Sequence, residues 1–405
     1  MESYQNALVK KFNTTFEPVQ LKIALLNKII YLLVVLTVLS CKREKKGTIP
    51  SEVTTSINIE YAKGFTMEKL TNGITLINIT SPWPNSEATF TYALVPKDIL
   101  PSISLDRDAY QAIVPVPVEN IVVTSTTHIP ALDALGQTEK LIGFPDTKYI
   151  SSEKTRKRID AGHVEDLGQN EALNTEMVIA LRPELVVGFG INNENKAYET
   201  IQRAGVPVVY NGEWTEETPL GKAEWIKFFA PFFQQEAKAD SIFSTIANSY
   251  NRTKLLAQQA KARPTVLSGA LYKDIWYLPG GKSWGAQFLE DANTDYLWKE
   301  SQETGSLSLS LESVLEKGQD ADFWISPSQF TSYDGMMDSN RHYSQFSPYK
   351  NKKIYTYAST KGATEGMLYF ELAPNRPDLV LKDLIHIFHP ELLPEHNSVF
   401  FKPLD

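Results

Sequence analysis

Nucleophiles, metal sites and phosphate cradles each need particular residue types at particular spacings, and this chain carries fragments of several. Gly280-Gly-Lys-Ser283 ends like a phosphate-binding loop, in which backbone N–H groups and a lysine cradle phosphates. That frame also needs a glycine five residues before Gly281, where this chain has Trp276, so the segment is expected to be a glycine turn after a strand. His386 and His389 are spaced to chelate from one helix. His389 precedes Pro390 at a helix end, however, where histidines more often meet the helix dipole or pack. The six histidines form no obvious metal cluster, and no metal site is expected. No Gly-x-Ser-x-Gly elbow occurs, and no carboxylate pair has a convincing acid–base context. No enzymatic chemistry is therefore expected.

The one cysteine points elsewhere. Cys41 follows the apolar run Ile29–Ser40, too short to span a bilayer comfortably and right for the hydrophobic region of a signal peptide. Lys22 and Lys28 precede the run. Val38-Leu39-Ser40-Cys41 resembles a bacterial lipobox, in which the cysteine is acylated and becomes the mature N-terminus. It departs from the usual pattern in a long stretch before the apolar run and in Val38, where leucine is usual. Residues 1–40 are then a lipoprotein signal peptide and 41–56 a flexible tether, opening with the charged Lys42-Arg-Glu-Lys-Lys-Gly47. The chain is expected on the periplasmic face of a bacterial membrane, held by lipid. An acidic tag of the kind that sends lipoproteins to the cell surface does not follow Cys41.

A net charge of −8 argues against nucleic acid, whose phosphates need clustered lysine and arginine. The residues after Cys41, out of 405, suffice for two lobes of ordinary size. No second apolar run reaches membrane-spanning length, so lipid is the expected anchor.

Residues 57–118 form a β-rich extension in which Ile57–Tyr61, Thr75–Ile79 and Thr89–Val95 alternate like strands, with a turn at Thr71-Asn-Gly73. Ile113–Val118 is extended, and its prolines exclude a central strand. From residue 119 short apolar strands alternate with helices, the pattern of a parallel sheet covered by helices. One α/β unit spans 119–233 and a second 264–405. Between them, 234–263 holds the longest helical stretch, Gln234 to Ala262, with Ile242, Phe243, Ile246, Ala247 and Tyr250 at helical spacing. Its length of roughly 43 Å would bridge two lobes, and Arg263-Pro264 ends it.

Four segments together resemble the substrate-binding proteins of ABC importers that carry ferric siderophores, haem and cobalamin. They are Ile121–Gly143, Gly168–Val186 with its Asn174-Thr-Glu-Met and Leu181-Arg-Pro-Glu-Leu-Val186, Ser308–Asp322, and the tail Tyr369–Leu392. The tail and Tyr210–Trp225 resemble the branch common in Bacteroidetes-type bacteria. The resemblance implies the class III periplasmic binding fold: two Rossmann-like lobes joined by one long rigid helix, with ligand in the cleft between them. It implies a monomeric, non-enzymatic receptor that captures an iron–siderophore-type metal chelate, without a cofactor of its own, and hands it to a permease. Cobalamin, which more aromatics and fewer cations in the cleft would favour, or haem is the alternative. Less expected are an exported enzyme and a zinc receptor using His128, His163 or His386. Glu176 and Glu312, one per lobe, stand where the family's permease-docking glutamates stand; separate exposed carboxylates suit orientation across an interface.

Cleft residues are expected on loops at the carboxyl ends of strands. A large planar ligand wants aromatic walls and an anionic chelate wants arginine or lysine. The first lobe offers Tyr149, Phe189 and Trp214, and the second Trp276, Tyr277 and Trp284. Arg156, with Lys157 and Arg158, is the candidate anion contact. Thr127-His128-Ile129-Pro130 departs from the family's Thr-Glu after the first strand, and His128 is expected to be structural.

Overall fold

The computed structural model describes residues 53–192 and 194–405. Cys41, the signal peptide and residues 41–52 of the expected tether lie outside the described residues. Within them no helix is long and apolar enough to cross a membrane.

The chain enters a five-stranded sheet at once. Its strands β1 (Val53–Ile57), β2 (Phe65–Leu70), β3 (Thr75–Thr80), β4 (Thr89–Pro96) and β5 (Ala112–Val116) lie in sequence order. They run antiparallel to β4, and β5 joins β4 in parallel. The expected strand at 57–61 is corrected: the strand ends at Ile57, and the Thr71-Asn-Gly73 turn closes a hairpin between β2 and β3. Pro115 sits in β5 at the sheet edge, where a missing N–H breaks no inner ladder. One face of the sheet buries Phe65, Ile77, Tyr92 and Val114 in the main core. There Phe65 meets Trp225 at 4.5 Å between ring centroids. The other face packs Leu70, Ile74, Ala93 and Val95 under residues 99–113.

The first lobe is a parallel sheet of β6 (Ile121–Val123), β7 (Leu141–Phe144), β8 (Glu165–Asp166), β9 (Leu185–Gly188) and β10 (Val208–Tyr210). The order β10-β9-β6-β7-β8 reverses between β6 and β9, which opens a crevice at the carboxyl ends of those strands. Helices His128–Leu135, Thr175–Leu181 and Lys196–Arg203 connect the strands, and Asn174 and Asn195 cap two of them through their side-chain oxygens.

In the second lobe, β11 (Thr265–Ser268), β14 (Asp295–Tyr296), β16 (Phe323–Ile325) and β17 (Ile354–Thr356) are parallel, and β18 (Lys402–Pro403) closes the edge antiparallel. A small antiparallel sheet of β12 (Ala270–Tyr272), β13 (Ile275–Pro279) and β15 (Ser306–Leu309) flanks it. Gly280-Gly281 is the turn from β13 into the helix Trp284–Asp291, which Ser283 caps. A Cβ on Gly280 would stand 2.3 Å from the Glu303 carbonyl oxygen, so close packing of two loops, not phosphate, explains the glycines.

The bridging helix is Glu236–Ala257, 22 residues and so about 33 Å, shorter at both ends than expected. Gln234 has φ 55°, outside the right-handed helix. Beyond Ala257 the side chains are exposed, and no apolar face supports another turn. Phe243, Ile246, Ala247 and Tyr250 form its buried face. Tyr250 donates to Asp291 at 2.6 Å, and Lys254 pairs with the same carboxylate at 2.8 Å, fastening the helix to the second lobe.

Candidate functional site

A cavity of about 1120 Å³ opens between the lobes. Its second-lobe wall is aromatic. Trp284 stacks on Tyr369 at 6.1 Å and 24°, and Tyr369 stacks on Tyr357 at 4.6 Å and 10°. Tyr277 and Phe370 stand at the rim, 40% and 52% exposed. Desolvation holds the Tyr369 hydroxyl neutral by raising its pKa far above the ordinary range. Facing this wall is the loop Trp214–Glu217. Buried Lys222 donates to the carbonyls of Glu213 and Trp214, both at 3.0 Å, which fixes that loop. The same ammonium lies 5.2 Å from the Trp284 ring, a cation–π contact between the lobes. Burial lowers the Lys222 pKa, opposed by Glu213 and Glu216.

Three of the seven expected ligand residues meet here: Trp214, Tyr277 and Trp284. Four do not. Trp276 is fully buried, donates its indole N–H to Ser268 at 2.9 Å and stacks on Trp324 at 5.2 Å. Strand alternation sends it into the core and its neighbour Tyr277 to the cavity. Phe189 is half-buried outside the cavity, because Trp83 of the extension covers that strand end, its ring against Tyr210 at 5.7 Å. Tyr149 is exposed at another part of the lobe seam, its backbone against Gly366. Arg156 is spent within its own lobe, donating to the Thr147 carbonyl at 2.7 Å and pairing with Asp160 at 3.1 Å. Arg158 pairs with Glu139.

The remaining candidates are also placed. Glu176 and Glu312 are exposed in the first turns of Thr175–Leu181 and Leu311–Gly318. The backbone N–H at that helix start and the Ser310 hydroxyl lower the Glu312 pKa. His128 is buried beside Phe229 with neither ring nitrogen paired, and burial drops its pKa to about 3, so it is a neutral core histidine. His386 contacts the Leu393 carbonyl and His389 that of Ala292. No group of three potential metal ligands exists among the described residues.

Sequence reasoning missed the extension's share of the cavity. Lys63, Gly64 and the β3–β4 connection from Thr80 to Ser86 line it. Residues 60–64, which lead into β2, are held by two buried carboxylates of the 213–225 segment. Glu224 accepts from the N–H groups of Glu60, Tyr61 and Ala62 at 2.9, 2.6 and 2.9 Å. Glu216 accepts from Lys63, Gly64 and the Trp225 indole at 2.9, 2.8 and 3.0 Å. Lys63 is the one cation among the described lining residues, and it pairs with Glu217 at 3.7 Å; no arginine lines the cavity. Glu216 and Glu224 were visible in the sequence, but nothing local told that they grip a connecting segment about 150 residues away.

Elsewhere the seam is tied by Glu371. This buried second-lobe carboxylate accepts from the N–H groups of Ser151 and Ser152 at 2.5 and 2.9 Å, at the start of the first-lobe helix Glu153–Asp160. Burial raises its pKa to about 7; the two N–H groups pull it down and Asp133 pushes it up.

Residues 121–360 match the periplasmic binding protein family. An uncharacterized lipoprotein of Methanocaldococcus jannaschii is 26% identical over 300 residues, covering 71% of this chain and 69% of that protein. The vitamin B12-binding protein of Vibrio parahaemolyticus is 26% identical over 142 residues, 34% of this chain and 49% of its own. A periplasmic haem-binding protein of Pseudomonas aeruginosa superposes with a TM-score of 0.53 at 18% identity, over 71% of this chain and 96% of that one, a likeness of fold.

Proposed function

The chain belongs to the periplasmic binding protein family, and from that premise we propose that it is the substrate-binding component of an ABC importer for a large, stackable ligand of the cobalamin kind. One observation carries the choice of ligand: among the described residues the interlobe cavity has tryptophan and tyrosine walls and no arginine, and its one lysine pairs with Glu217. An anionic ferric chelate, the first expectation from sequence, would enter a cleft whose charged lining is mostly glutamate. Like charge would oppose it, and the carboxylates of haem would meet the same opposition. An uncharged ligand with a broad face loses nothing there and gains from stacking. The partial similarity to a vitamin B12-binding protein supports the same choice.

The reading gives the chain no catalytic step. Cys41 carries the lipid anchor, the receptor works as a monomer at the periplasmic face, and Glu176 and Glu312 orient it on the permease. The lipoprotein name of the Methanocaldococcus relative supports the anchor.

The test is a thermal-shift panel on the full chain with cobalamin, haem, ferric hydroxamate and catecholate siderophores and zinc. A ligand that binds only the native state raises Tm with concentration. Cobalamin is expected to raise it, and haem and the ferric siderophores are not. A second arm reverses Glu176 and Glu312 to lysine, which is expected to stop uptake in cells while leaving Tm shifts intact. A shift with zinc alone, or with nothing in the panel, would sink the proposal.

A further inference from the structure

The first lobe of an open α/β sheet ordinarily presents its own strand ends to a ligand at the switch point. Here that surface is taken. The β3–β4 connection Ser81-Pro-Trp-Pro-Asn-Ser86 sits over the carboxyl ends of β9 and β10. Trp83 is the anchor: 8% exposed, its ring packs on Tyr210 at 5.7 Å and Phe90 at 5.9 Å. A Cβ on Gly190 would come within 2.8 Å of the Trp83 ring, so the loop after β9 accepts the indole because it is glycine there. A Cβ on Gly212, after β10, would lie 3.1 Å from Pro82. The tip is internally fixed: Ser81 and Ala88 pair through their backbones at 3.0 Å, and the Ser81 hydroxyl donates to the Ser86 carbonyl at 2.8 Å. Two prolines stiffen it further. Pro84 and Asn85 are exposed, and Asn85 and Ser86 line the cavity opposite the aromatic wall.

From this placement, and resting on the receptor reading above, we infer that the N-terminal extension is the first-lobe wall of the ligand site, and that Asn85 and Ser86 select ligands whose facing rim is uncharged and rich in amides or hydroxyls. A stiff loop holds polar side chains ready and loses little freedom on binding. Asn85 offers an amide donor and acceptor, and Ser86 a hydroxyl proton, its oxygen already accepting from the Ala88 N–H at 3.0 Å, with no charge on either. A rim of amides satisfies them, whereas a rim of carboxylates gains no ion pair and faces Glu217 and Glu303 in the same lining. A site built to hydrogen-bond a ligand group discriminates strongly against ligands that lack it.

The experiment measures Kd of the full chain for cyanocobalamin and haem by equilibrium titration. Wild type, Asn85→Gly, Ser86→Arg and Trp284→Ala are compared. Asn85 has φ 58°, so glycine removes the amide without straining the backbone. Asn85→Gly is expected to weaken cobalamin about fivefold, the loss of one hydrogen bond. Ser86→Arg is expected to weaken cobalamin and strengthen haem, reversing the preference by about tenfold or more. If both tip variants bind like wild type while Trp284→Ala loses binding, the tip is not a wall of the site and the inference falls, with the receptor reading intact. If wild type binds neither probe nor any siderophore, the receptor reading itself fails and the inference with it.

Discussion

Trp276 and Trp284 flank one glycine turn, yet only one of them reaches the cavity. Trp276 is sealed between Trp324, Tyr343 and Phe346, at ring distances of 5.2, 5.8 and 5.5 Å. Trp276→Ala should therefore cost about 3–5 kcal/mol of folding stability by urea denaturation. Trp284, half-buried in the cavity wall, should cost less on truncation and abolish most ligand affinity. Equal stability losses for the two would contradict the assignment. The sequence contained both tryptophans and the strand beneath Trp276, but alternation shows only that Trp276 and Tyr277 face opposite ways. Which face meets the core depends on the sheet packed behind it, and that partner comes from residues 323–346. Arg156 fails to reach the cleft for a similar reason: its guanidinium is satisfied by Thr147 and Asp160 within a few residues, and composition cannot reveal where a long side chain is held.

The elements from Ile121 onward were largely legible, because strand, helix and strand each leave a periodic mark and the Asn174 cap announces its helix. The extension was legible as β and opaque as function. Its link to the site is a strap, residues 58–64, whose backbone N–H groups converge on Glu216 and Glu224. Backbone donors carry no sequence signature, so the bond between these segments could not be inferred from side-chain types. Glu216 also takes the Trp225 indole, so it joins the strap to the loop that carries Trp214. Glu216→Gln keeps the shape but removes the charge, and should cost about 1.5–3 kcal/mol. It should also open 58–64 to proteases. Glu217→Gln, which breaks only an exposed pair with Lys63, should stay within about 0.5 kcal/mol of wild type. A neutral effect of Glu216→Gln would mean that Glu224 and the packing of Phe65 on Trp225 hold the strap without it.

Among the described residues the two α/β lobes are joined by the helix Glu236–Ala257 and also meet along a seam. Glu371 is the part of that seam whose pKa burial raises to about 7. Its carboxylate meets Ser151 and Ser152 across the seam, with Asp133 on the helix beside it; the nearby Arg376 is engaged by Asp378 at 2.9 Å. Its pKa rises from 4.5 unfolded to about 7 folded, chiefly by burial. The folded protein then keeps a proton that the unfolded chain has released. The stabilising contribution is complete below pH about 4.5 and is lost as pH climbs through about 7, a change of about 3 kcal/mol at most. Glu371→Gln cannot titrate. Wild type should therefore lose stability relative to this variant steadily across pH 4.5–7 and hold level with pH above, read from urea midpoints at each pH. Ligand held between the lobes adds its own binding energy to the seam, so the same titration with saturating cobalamin should move both proteins up together and leave the slope of their difference unchanged. A flat difference in the free protein would mean that the two N–H groups offset burial, so that Glu371 titrates alike in the folded and unfolded chain and the seam adds no pH dependence.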